Sequence, residues 1–300
     1  MDPSEPSPQE ASNVRRALKR FRSEITGWRE VTMGGYTPAR RWVVRLGDGR
    51  SAFVKIATDE LTASWIRDEH VVYSILRGAP FMPAYLGFYD DGRRPVLALE
   101  DLSEATWPPP WDRKQVDAVL TCLGEVAATP PPDGLPRLDD DRLGLRRCWL
   151  QVERDPEPFL SLGLCSAAWL DEHLPTLRDS AATAPLAGSA LLHSDVRSDN
   201  LCFRRDGTAA LVDWNWASVG DPACDPVFWL ASLRAEGGPE PEEVVPDAPP
   251  GLVSCLAGYM CFHAGLDEIP TAPDVREVQR AQARIALPWA ARALGLSPPA

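Results

Sequence analysis

The sequence predicts an α+β protein, in which a small antiparallel sheet with one helix is followed by a mainly helical region that holds one short hairpin. Three observations favour this fold class. β-Rich runs separated by turn residues fill the first hundred positions, apolar residues at helical spacing dominate the rest, and one strand pattern at residues 201–212 interrupts the helices. A chain of 300 residues is long enough for two lobes, and we expect two.

Composition and charge limit the classes of function. Hydrophobic residues make up 44% and charged residues 25% of the chain, as in ordinary globular proteins. The net charge of -12 argues against a general nucleic-acid binder, because that task needs a basic face. The seven cysteines form no CxxC pair, so we expect small buried residues in a reducing compartment. Neither a signal peptide nor a membrane span is visible, which predicts a cytoplasmic protein with no membrane partner.

The first lobe is predicted over residues 23–99, after a tail and a short helix in residues 1–22. Residues 2–13 have the composition of a disordered segment, and residues 14–21 could begin a helix. Strands are expected at 41–45 and 51–56, joined by the tight turn Gly47-Asp48-Gly49. A helix at 60–76 and strands at 85–89 and 95–99 complete this lobe.

The second lobe is predicted over residues 105–300, after a connector at residues 100–104. The proline-rich run from Trp107 to Trp111 cannot continue a sheet. Helical periodicity then appears at residues 114–128, 167–178, 253–264 and 277–294. Between these helices, residues 201–204 and 209–212 predict a hairpin that turns at Asp206-Gly207.

Polar residues flank this hairpin on both sides. The run HSDVRSDN, residues 193–200, precedes it, and Asp213 follows it. Paired strands lie about 5 Å apart, so Asn200 and Asp213 can reach the same point. Their amide and carboxylate oxygens suit Mg²⁺ carrying substrate phosphates, and Asp195 is left to accept a hydroxyl proton. Without Asp213 across the hairpin, a capped surface loop would explain Asp195 and Asn200 better.

The first lobe contains residues of a type that binds phosphate. Gly34-Gly35 precedes the first strand, where a chain without Cβ atoms can approach a nucleotide, although an ordinary turn is the alternative. Lys55 interrupts an apolar strand and could contact phosphate as a compact charge. Glu69, on the following helix, is its expected ion-pair partner. A solvated strand edge and a solvated helix face are the alternatives for these two residues.

Together these motifs resemble the aminoglycoside phosphotransferase family, also called the phosphotransferase enzyme family, which has a protein-kinase-like fold. The resemblance runs from about Gly34 to Asp225, and its typical signatures are HGDLxxxN, IDW and GDPxxDL. It implies that Asp195 is the catalytic base and that Asn200 and Asp213 bind Mg²⁺. It also implies that Lys55, held by Glu69, binds the phosphates of ATP or GTP.

The resemblance assigns further residues to supporting roles. The connector residues Glu100, Asp101 and Leu102 would meet adenine through their backbone. Four residues would brace the site without taking part in the chemistry, namely His193, Arg197, Asp221 and Asp225. A buried, hydrogen-bonded histidine and a simple turn or helix cap are the alternatives for His193 and Asp221.

Three positions depart from the family pattern. Ser194 stands where glycine is usual, Val196 where leucine or phenylalanine is common, and Pro38 removes a backbone donor from the glycine-rich turn. These departures affect no catalytic position, although Pro38 makes the mode of phosphate contact an open question.

The acceptor is predicted only as a small hydroxylated molecule. The family acts on aminoglycosides, macrolides, amino alcohols and sugars, and an aminoglycoside-like acceptor is our first hypothesis. Its pocket is expected from residues 149–169 and 253–289, with acids at 236–243 and at Asp267-Glu268 available to a polycation, or solvated instead. Trp214 and Trp216 could form an aromatic wall or pack in the core.

Two other classes of function are alternatives to a small-molecule kinase. A nucleotide-binding protein without transfer activity would not need Asp195 beside Asn200, Asp213 and Lys55. A protein kinase would need an activation loop, and residues 213–225 are too few to hold one. The oligomeric state is not predicted by the sequence.

Overall fold

The protein is described from a computed structural model, which describes residues 6–32, 38–270 and 272–299. The chain forms two compact units. The first contains the described residues up to Trp107 together with Asp199–Trp216, and the second contains Pro108–Ser198 and the described residues from Ala217 onward. Within the described residues, no helix is both long and apolar enough to cross a bilayer.

The regular elements follow one another along the chain with short connections. They are α1 (Pro8–Ala17), β1 (Ile25–Glu30), β2 (Arg40–Leu46), β3 (Ser51–Ile56), α2 (Glu60–Ile75), β4 (Tyr85–Tyr89), β5 (Val96–Glu100), α3 (Arg113–Ala128), α4 (Cys148–Arg154), α5 (Glu157–Leu160), α6 (Ala167–Ala182), β6 (Ala190–Leu192), β7 (Leu201–Phe203), β8 (Ala209–Leu211), β9 (Ser218–Gly220), α7 (Cys224–Ala235), α8 (Pro241–Val244), α9 (Pro250–Ala264) and α10 (Val275–Ala293).

An antiparallel sheet of five strands, in the order β1-β2-β3-β5-β4, forms the centre of the first unit. The strands predicted at residues 51–56 and 85–89 are present with the same bounds. Alternate residues of β2 and β3 are buried, among them Trp42, Val44 and Val54. This alternation is typical of strands that pack one face on a core. Strand β1, at the sheet edge and only half-buried, was not predicted.

The first unit also contains a helix that begins earlier in the sequence than predicted. Disorder was expected over residues 2–13, yet α1 begins at Pro8. Ser7 and Glu10 form a capping box, in which the backbone N–H of each residue donates to the side chain of the other. Val14 and Ala17 then pack in the same apolar core as β2 and β3. The proline, serine and acidic residues that suggested disorder are therefore a helix start.

The hairpin of β7 and β8 belongs to the first unit. Leu201 pairs with Leu211 and Phe203 with Ala209, and Gly207 makes the turn with a φ of 84°. The backbone N–H of Leu211 donates to the carbonyl of Phe81 at 2.8 Å. The short strands are therefore fixed to the rest of their unit by backbone hydrogen bonds.

The second unit is mainly helical and contains one pair of short strands, β6 and β9. Its core holds fully buried tryptophans, such as Trp149, whose indole Nε1 donates to the carbonyl of Ser254 at 2.9 Å. All seven cysteines of the protein are buried as free thiols, as expected. The predicted helices correspond to α3, α6, α9 and α10, whereas α4, α5, α7 and α8 were not predicted.

Candidate functional site

Lys55 is the central charged residue of the first unit. It lies in β3, and its Nζ is 2.7 Å from Oε1 of Glu69 on α2. The same ammonium contacts Oδ1 of Asp213, just beyond β8. The Lys55 side chain is only 13% exposed and that of Glu69 only 3%. The lysine therefore joins two carboxylates that come from distant parts of the sequence.

Glu69 depends on this contact. Its second oxygen, Oε2, is buried and has no hydrogen-bond partner among the described residues. A buried carboxylate is stable only when its charge is compensated. Lys55 supplies the compensating charge, so Glu69 and Lys55 hold each other in place. Both alternatives that placed these two side chains in solvent are excluded.

Asn200 and Asp213 lie at the open end of the β7–β8 hairpin. Asn200 is 1% exposed, and its backbone carbonyl accepts a hydrogen bond from the backbone N–H of Val212 at 2.8 Å. Asp213 has a φ of 65°, in the left-handed region that few non-glycine residues adopt. Strained backbone of this kind is concentrated at functional sites. The side chains of both residues provide oxygen atoms.

The oxygen donors of Asn200 and Asp213 fit a magnesium ion. Mg²⁺ prefers oxygen ligands and is usually held by one or two protein side chains plus phosphates and water. No group of three or more His, Cys, Asp or Glu side chains able to hold a metal exists in the described part of the chain. A metal site made of three such side chains is therefore absent from that part of the chain. A site in which phosphate oxygens complete the coordination of the metal would need only Asn200 and Asp213 from the protein.

The connector begins at Glu100, the last residue of β5, and continues through Asp101 and Leu102 in the first unit. Glu100 is fixed by Arg204, whose Nη2 lies 3.2 Å from its Oε2. Asp101 Oδ1 accepts the N–H of Ser103 at 3.0 Å, and the carbonyl of Leu102 accepts the N–H of Ala105 at 3.0 Å. These hydrogen bonds fold the connector into a turn. Gly34 and Gly35 lie outside the described residues.

In the second unit, the loop that follows β6 is held by Asp225 of α7. The backbone N–H of His193 donates to Oδ2 at 2.6 Å, and that of Ser194 donates to Oδ1 at 2.8 Å. Burial raises the pKa of Asp225 to about 6, against the lowering effect of these two bonds, and the charge of Asp195 adds to the rise. A single carboxylate thus fixes two consecutive peptide groups next to Asp195.

Ser194 takes a conformation that explains the glycine usual at its position. Its φ is 67°, where glycine carries no steric penalty. Its hydroxyl lies 2.7 Å from the hydroxyl of Ser218, which belongs to β9 and is 4% exposed. This hydroxyl pair was not predicted. The sequence contains no signal for it, because the positive φ of Ser194 is visible only in the structure.

Asp195 is half-buried and is also held by its own loop. Its backbone N–H donates to Nδ1 of His193 at 3.3 Å, and Nε of Arg197 lies 3.2 Å from its Oδ1. His193 is fully buried, which the bracing role and the alternative of a buried, hydrogen-bonded histidine both predict. Asp221 accepts the N–H of Ala223 at 2.9 Å, so it forms the turn that leads into α7.

Glu236 was assigned by the sequence analysis to the acids available to a polycation, but it is hydrogen-bonded within its unit. Its carboxylate accepts the hydroxyl of Ser198 at 2.6 Å and the indole N–H of Trp111 at 2.9 Å. Glu240 and Glu242 are likewise engaged, by Arg234 at 2.7 Å and by Arg292 at 2.6 Å. Trp111, Ser198 and Arg292 are distant in sequence from the acids that they contact, so no local pattern could have shown these partners, whereas Arg234 lies only six residues before Glu240.

The suggested aromatic wall is wrong for one of its two residues. Trp214 is fully buried, and its ring packs 5.6 Å from that of Phe81. Trp216 is 42% exposed. Trp214 is therefore a core residue, because its indole N–H is also taken by the carbonyl of Leu211 at 2.9 Å.

Solved structures with the same fold include aminoglycoside and macrolide phosphotransferases. Aminoglycoside phosphotransferase APH(4)-Ia matches with a TM-score of 0.58 at 14% identity, over 95% of this chain and 99% of that one. The GDP and kanamycin complex of APH(2″)-IIia matches with a TM-score of 0.58 at 15% identity, over 95% and 98%. Macrolide 2′-phosphotransferase type I gives 0.50 at 16% identity, over 97% and 94%. No curated protein matches the chain by sequence.

The chain shares its α+β fold with these phosphotransferases. The model of the phosphotransferase enzyme family matches residues 33–252, which is most of the chain. The chain belongs to this family, as the resemblance of its motifs indicated.

Proposed function

We propose that the chain transfers the terminal phosphoryl group of ATP, in the presence of Mg²⁺, to a hydroxyl group of a small molecule. The observation that carries this proposal is the buried Lys55 between Glu69 and Asp213. A lysine held by a helix glutamate is the arrangement with which protein kinases meet nucleotide phosphates. The alternative nucleotide is GTP.

Nucleotide binding is assigned to residues of the first unit. Lys55 would contact the phosphates, and Gly34 and Gly35 would let the backbone approach them. The connector would meet adenine through its backbone. In support of this role, the N–H of Leu102 has no acceptor among the described residues, while its carbonyl already accepts the N–H of Ala105.

Asn200 and Asp213 are the residues that would hold Mg²⁺. One is a buried amide and the other a carboxylate paired with Lys55, which is a hard-oxygen set with a compensating charge nearby. When bound, the metal neutralises charge on the phosphates.

Asp195 is proposed as the base. As the acceptor oxygen bonds to the γ-phosphorus, the bond from that phosphorus to the bridging oxygen breaks and ADP leaves with the electron pair. The hydroxyl proton passes to the Asp195 carboxylate. His193, Arg197 and Asp225 would keep this carboxylate in position, since each contacts Asp195 or the peptide groups before it. Asp221 would support the same loop indirectly, through the turn that leads into α7.

An aminoglycoside-like molecule is the first acceptor that we propose, supported by family membership and by the aminoglycoside phosphotransferases among the structural neighbours. A second candidate is a less cationic acceptor, namely a sugar, an amino alcohol or a macrolide. Two observations favour it. Glu236, Glu240 and Glu242 already have partners inside the second unit. Tyr259 is a half-buried aromatic residue, whose ring is tilted by 36° against that of His263 with the ring centroids 4.1 Å apart.

Tyr259 belongs to the environment of Asp195. Burial raises the pKa of the tyrosine, and the charge of Asp195 contributes to the rise, whereas Arg276 and Arg197 oppose it. An aromatic surface of this kind packs against sugar faces and against the cationic groups of amino alcohols.

The test is ADP release with Mg²⁺-ATP across a panel of aminoglycosides, macrolides, choline, homoserine and hexosamines. Asp195→Asn serves as the blank, because it keeps the size of the side chain and removes its basicity. Asp206→Asn, in the exposed hairpin turn, is the matched control and should keep the wild-type rate. A variant at Asp195 that retains a tenth of the wild-type rate would remove this residue from the role of base.

Nucleotide affinity separates the two carboxylates. Asp195→Asn should leave the affinity for Mg²⁺-ATP nearly unchanged, whereas Asp213→Ala should weaken it. Equal affinity of Asp213→Ala and wild type, measured by calorimetry, would refute the metal-ligand assignment. Acceptor-dependent ADP release that is limited to aminoglycosides would support the first acceptor, and release with sugars or amino alcohols alone would support the second.

A further inference from the structure

A cavity of about 550 Å³ lies on the first unit, along α1 and the start of β1. Its lining contains three cations, Arg15, Lys19 and Arg22, and one acid, Glu24. Leu18 and Ile25 supply apolar surface, and Ser23 adds a hydroxyl. The volume is within the range of small-ligand pockets, which runs from about 300 to about 1,000 Å³.

The cations of this segment divide into two groups. Residues 14–22 carry five lysines and arginines and no acid, in a chain whose net charge is -12. Arg16 and Arg20 are engaged, because Arg16 contacts the hydroxyl of Tyr89 and Arg20 donates to the carbonyl of Tyr85 at 2.9 Å. The other three line the cavity.

The three cavity cations have no carboxylate partner. No ion pair of Arg15, Lys19 or Arg22 with any described residue exists. Asp48, whose backbone N–H donates to Ser23, directs its carboxylate to Arg50 instead. With the acid Glu24 set against its three cations, the lining of the cavity has a net charge of +2.

The number of these cations and the size of the cavity indicate the kind of ligand. Arg15 lies in α1, whereas Lys19 begins a single 3-10 turn after the end of α1 and Arg22 ends that turn with a left-handed φ of 49°. One phosphate ion would fill only a small part of a cavity of about 550 Å³, whereas a molecule with several anionic groups can contact all three cations.

We propose that this cavity binds an organic polyphosphate, with its phosphate groups on Arg15, Lys19 and Arg22 and its carbon skeleton against Leu18 and Ile25. Arginine forks match phosphate oxygens in pairs, and lysine adds a compact charge. The cavity lies before residue 33, where the match to the family model begins. Its lining contains none of Lys55, Glu69 and Asp213, and it belongs to a segment outside the match.

Calorimetry with inositol trisphosphate on the full chain tests the proposal. The variant Arg15→Gln, Lys19→Gln, Arg22→Gln should weaken binding by at least about tenfold, because three charge-assisted contacts are lost. The matched control, Arg93→Gln, Lys114→Gln, Arg142→Gln, removes three exposed cations elsewhere and should bind like wild type. Both variants should release ADP from Mg²⁺-ATP at the wild-type rate and unfold at the wild-type temperature.

The same phosphate groups could be presented by a membrane. Phosphatidylcholine vesicles that contain phosphatidylinositol bisphosphate distinguish this source from a free ligand. Binding to vesicles but not to soluble inositol trisphosphate, lost in the cavity variant, would support the site with a lipid headgroup as ligand. Binding of the soluble probe with the same loss would support a free polyphosphate.

Three results would overturn the proposal. Equal weakening in the cavity variant and the control variant would mean that binding follows net charge alone. Weakening by Lys55→Gln, with the cavity variant unaffected, would place the probe at the proposed nucleotide site. The absence of binding by wild-type protein to either probe would show that the cavity takes no such ligand.

Discussion

Replacing Asp225 with asparagine tests how a buried carboxylate holds the loop of His193 and Ser194. The wild-type side chain accepts both backbone N–H groups, at 2.6 and 2.8 Å. Asparagine has the same size and does not titrate. It keeps one acceptor oxygen, but its amide N–H₂ faces the other backbone donor, which costs about 1–3 kcal/mol at every pH.

The pH dependence of stability carries the stronger test. The pKa of Asp225 is raised from 3.8 to about 6, chiefly by burial, and this difference corresponds to about 3 kcal/mol. Between about pH 4 and about pH 6 the folded protein therefore binds more protons at this residue than the unfolded chain does. The contribution of Asp225 to the free energy of unfolding decreases as pH rises through that window and is constant above it.

Urea unfolding followed by the fluorescence of the 11 tryptophans measures this effect. The free energy of unfolding of Asp225→Asn minus that of wild type should rise by about 3 kcal/mol between about pH 4 and about pH 7. Asp206→Asn is the control, because hydrogen bonds from Thr208 lower the pKa of Asp206 below its ordinary value. The contribution of Asp206 to stability changes mainly below about pH 4, so the difference of this variant from wild type should stay nearly flat between about pH 4 and about pH 7. A flat or falling difference for Asp225→Asn would refute the reasoning.

Substitutions of Lys55, Ser194 and Glu236 test contacts within each of the two units, and urea unfolding measures their effect on stability. Lys55→Met should destabilise the fold by about 3 kcal/mol, because Glu69 is left buried without its cation, and the double variant with Glu69→Gln should recover part of that loss. If the double variant were no more stable than the single one, the pair would not be coupled. Ser194→Ala should cost about 1 kcal/mol through the lost bond to Ser218, while Ser194→Gly should be about 1 kcal/mol more stable than the alanine variant because it relieves the positive φ. Equal stability of the two variants would contradict the strain. Glu236→Gln should cost about 1 kcal/mol, since its two hydrogen bonds lose their charge assistance, and an unchanged urea midpoint would contradict this assignment.

Position in the sheet does not decide which strands could be predicted. Strand β3 is central and β4 is an edge strand, yet both have their predicted bounds because the turn residues that flank them are written locally. Strand β1, at the other edge, is only half-buried and lacks a clear alternation. For α1 a local signal is present, since Ser7 and Glu10 have capping-box spacing, but the proline, serine and acidic composition of the segment is also typical of disorder.

The candidate site could be predicted only in part, for a related reason. Lys55 and Glu69 were paired because a charge inside an apolar strand demands a partner on the next element. The hydroxyl pair of Ser194 and Ser218 depends on the register of β6 against β9, in which Leu192 lies opposite Ser218. Such a contact is set by tertiary structure and leaves no periodic trace in the sequence.

The run HSDVRSDN is divided between two separately stabilised parts of the molecule. The chain passes from the second unit to the first between Ser198 and Asp199. On one side of that point Asp225 fixes the peptides before Asp195, and Glu236 holds the hydroxyl of Ser198. On the other side Asn200 is fixed by the β7–β8 hairpin through its carbonyl. If base and metal ligand are positioned by different sets of contacts, Asp225→Asn should lower the transfer rate and leave the affinity for Mg²⁺-ATP unchanged. Loss of both together would show that the run behaves as a single rigid element.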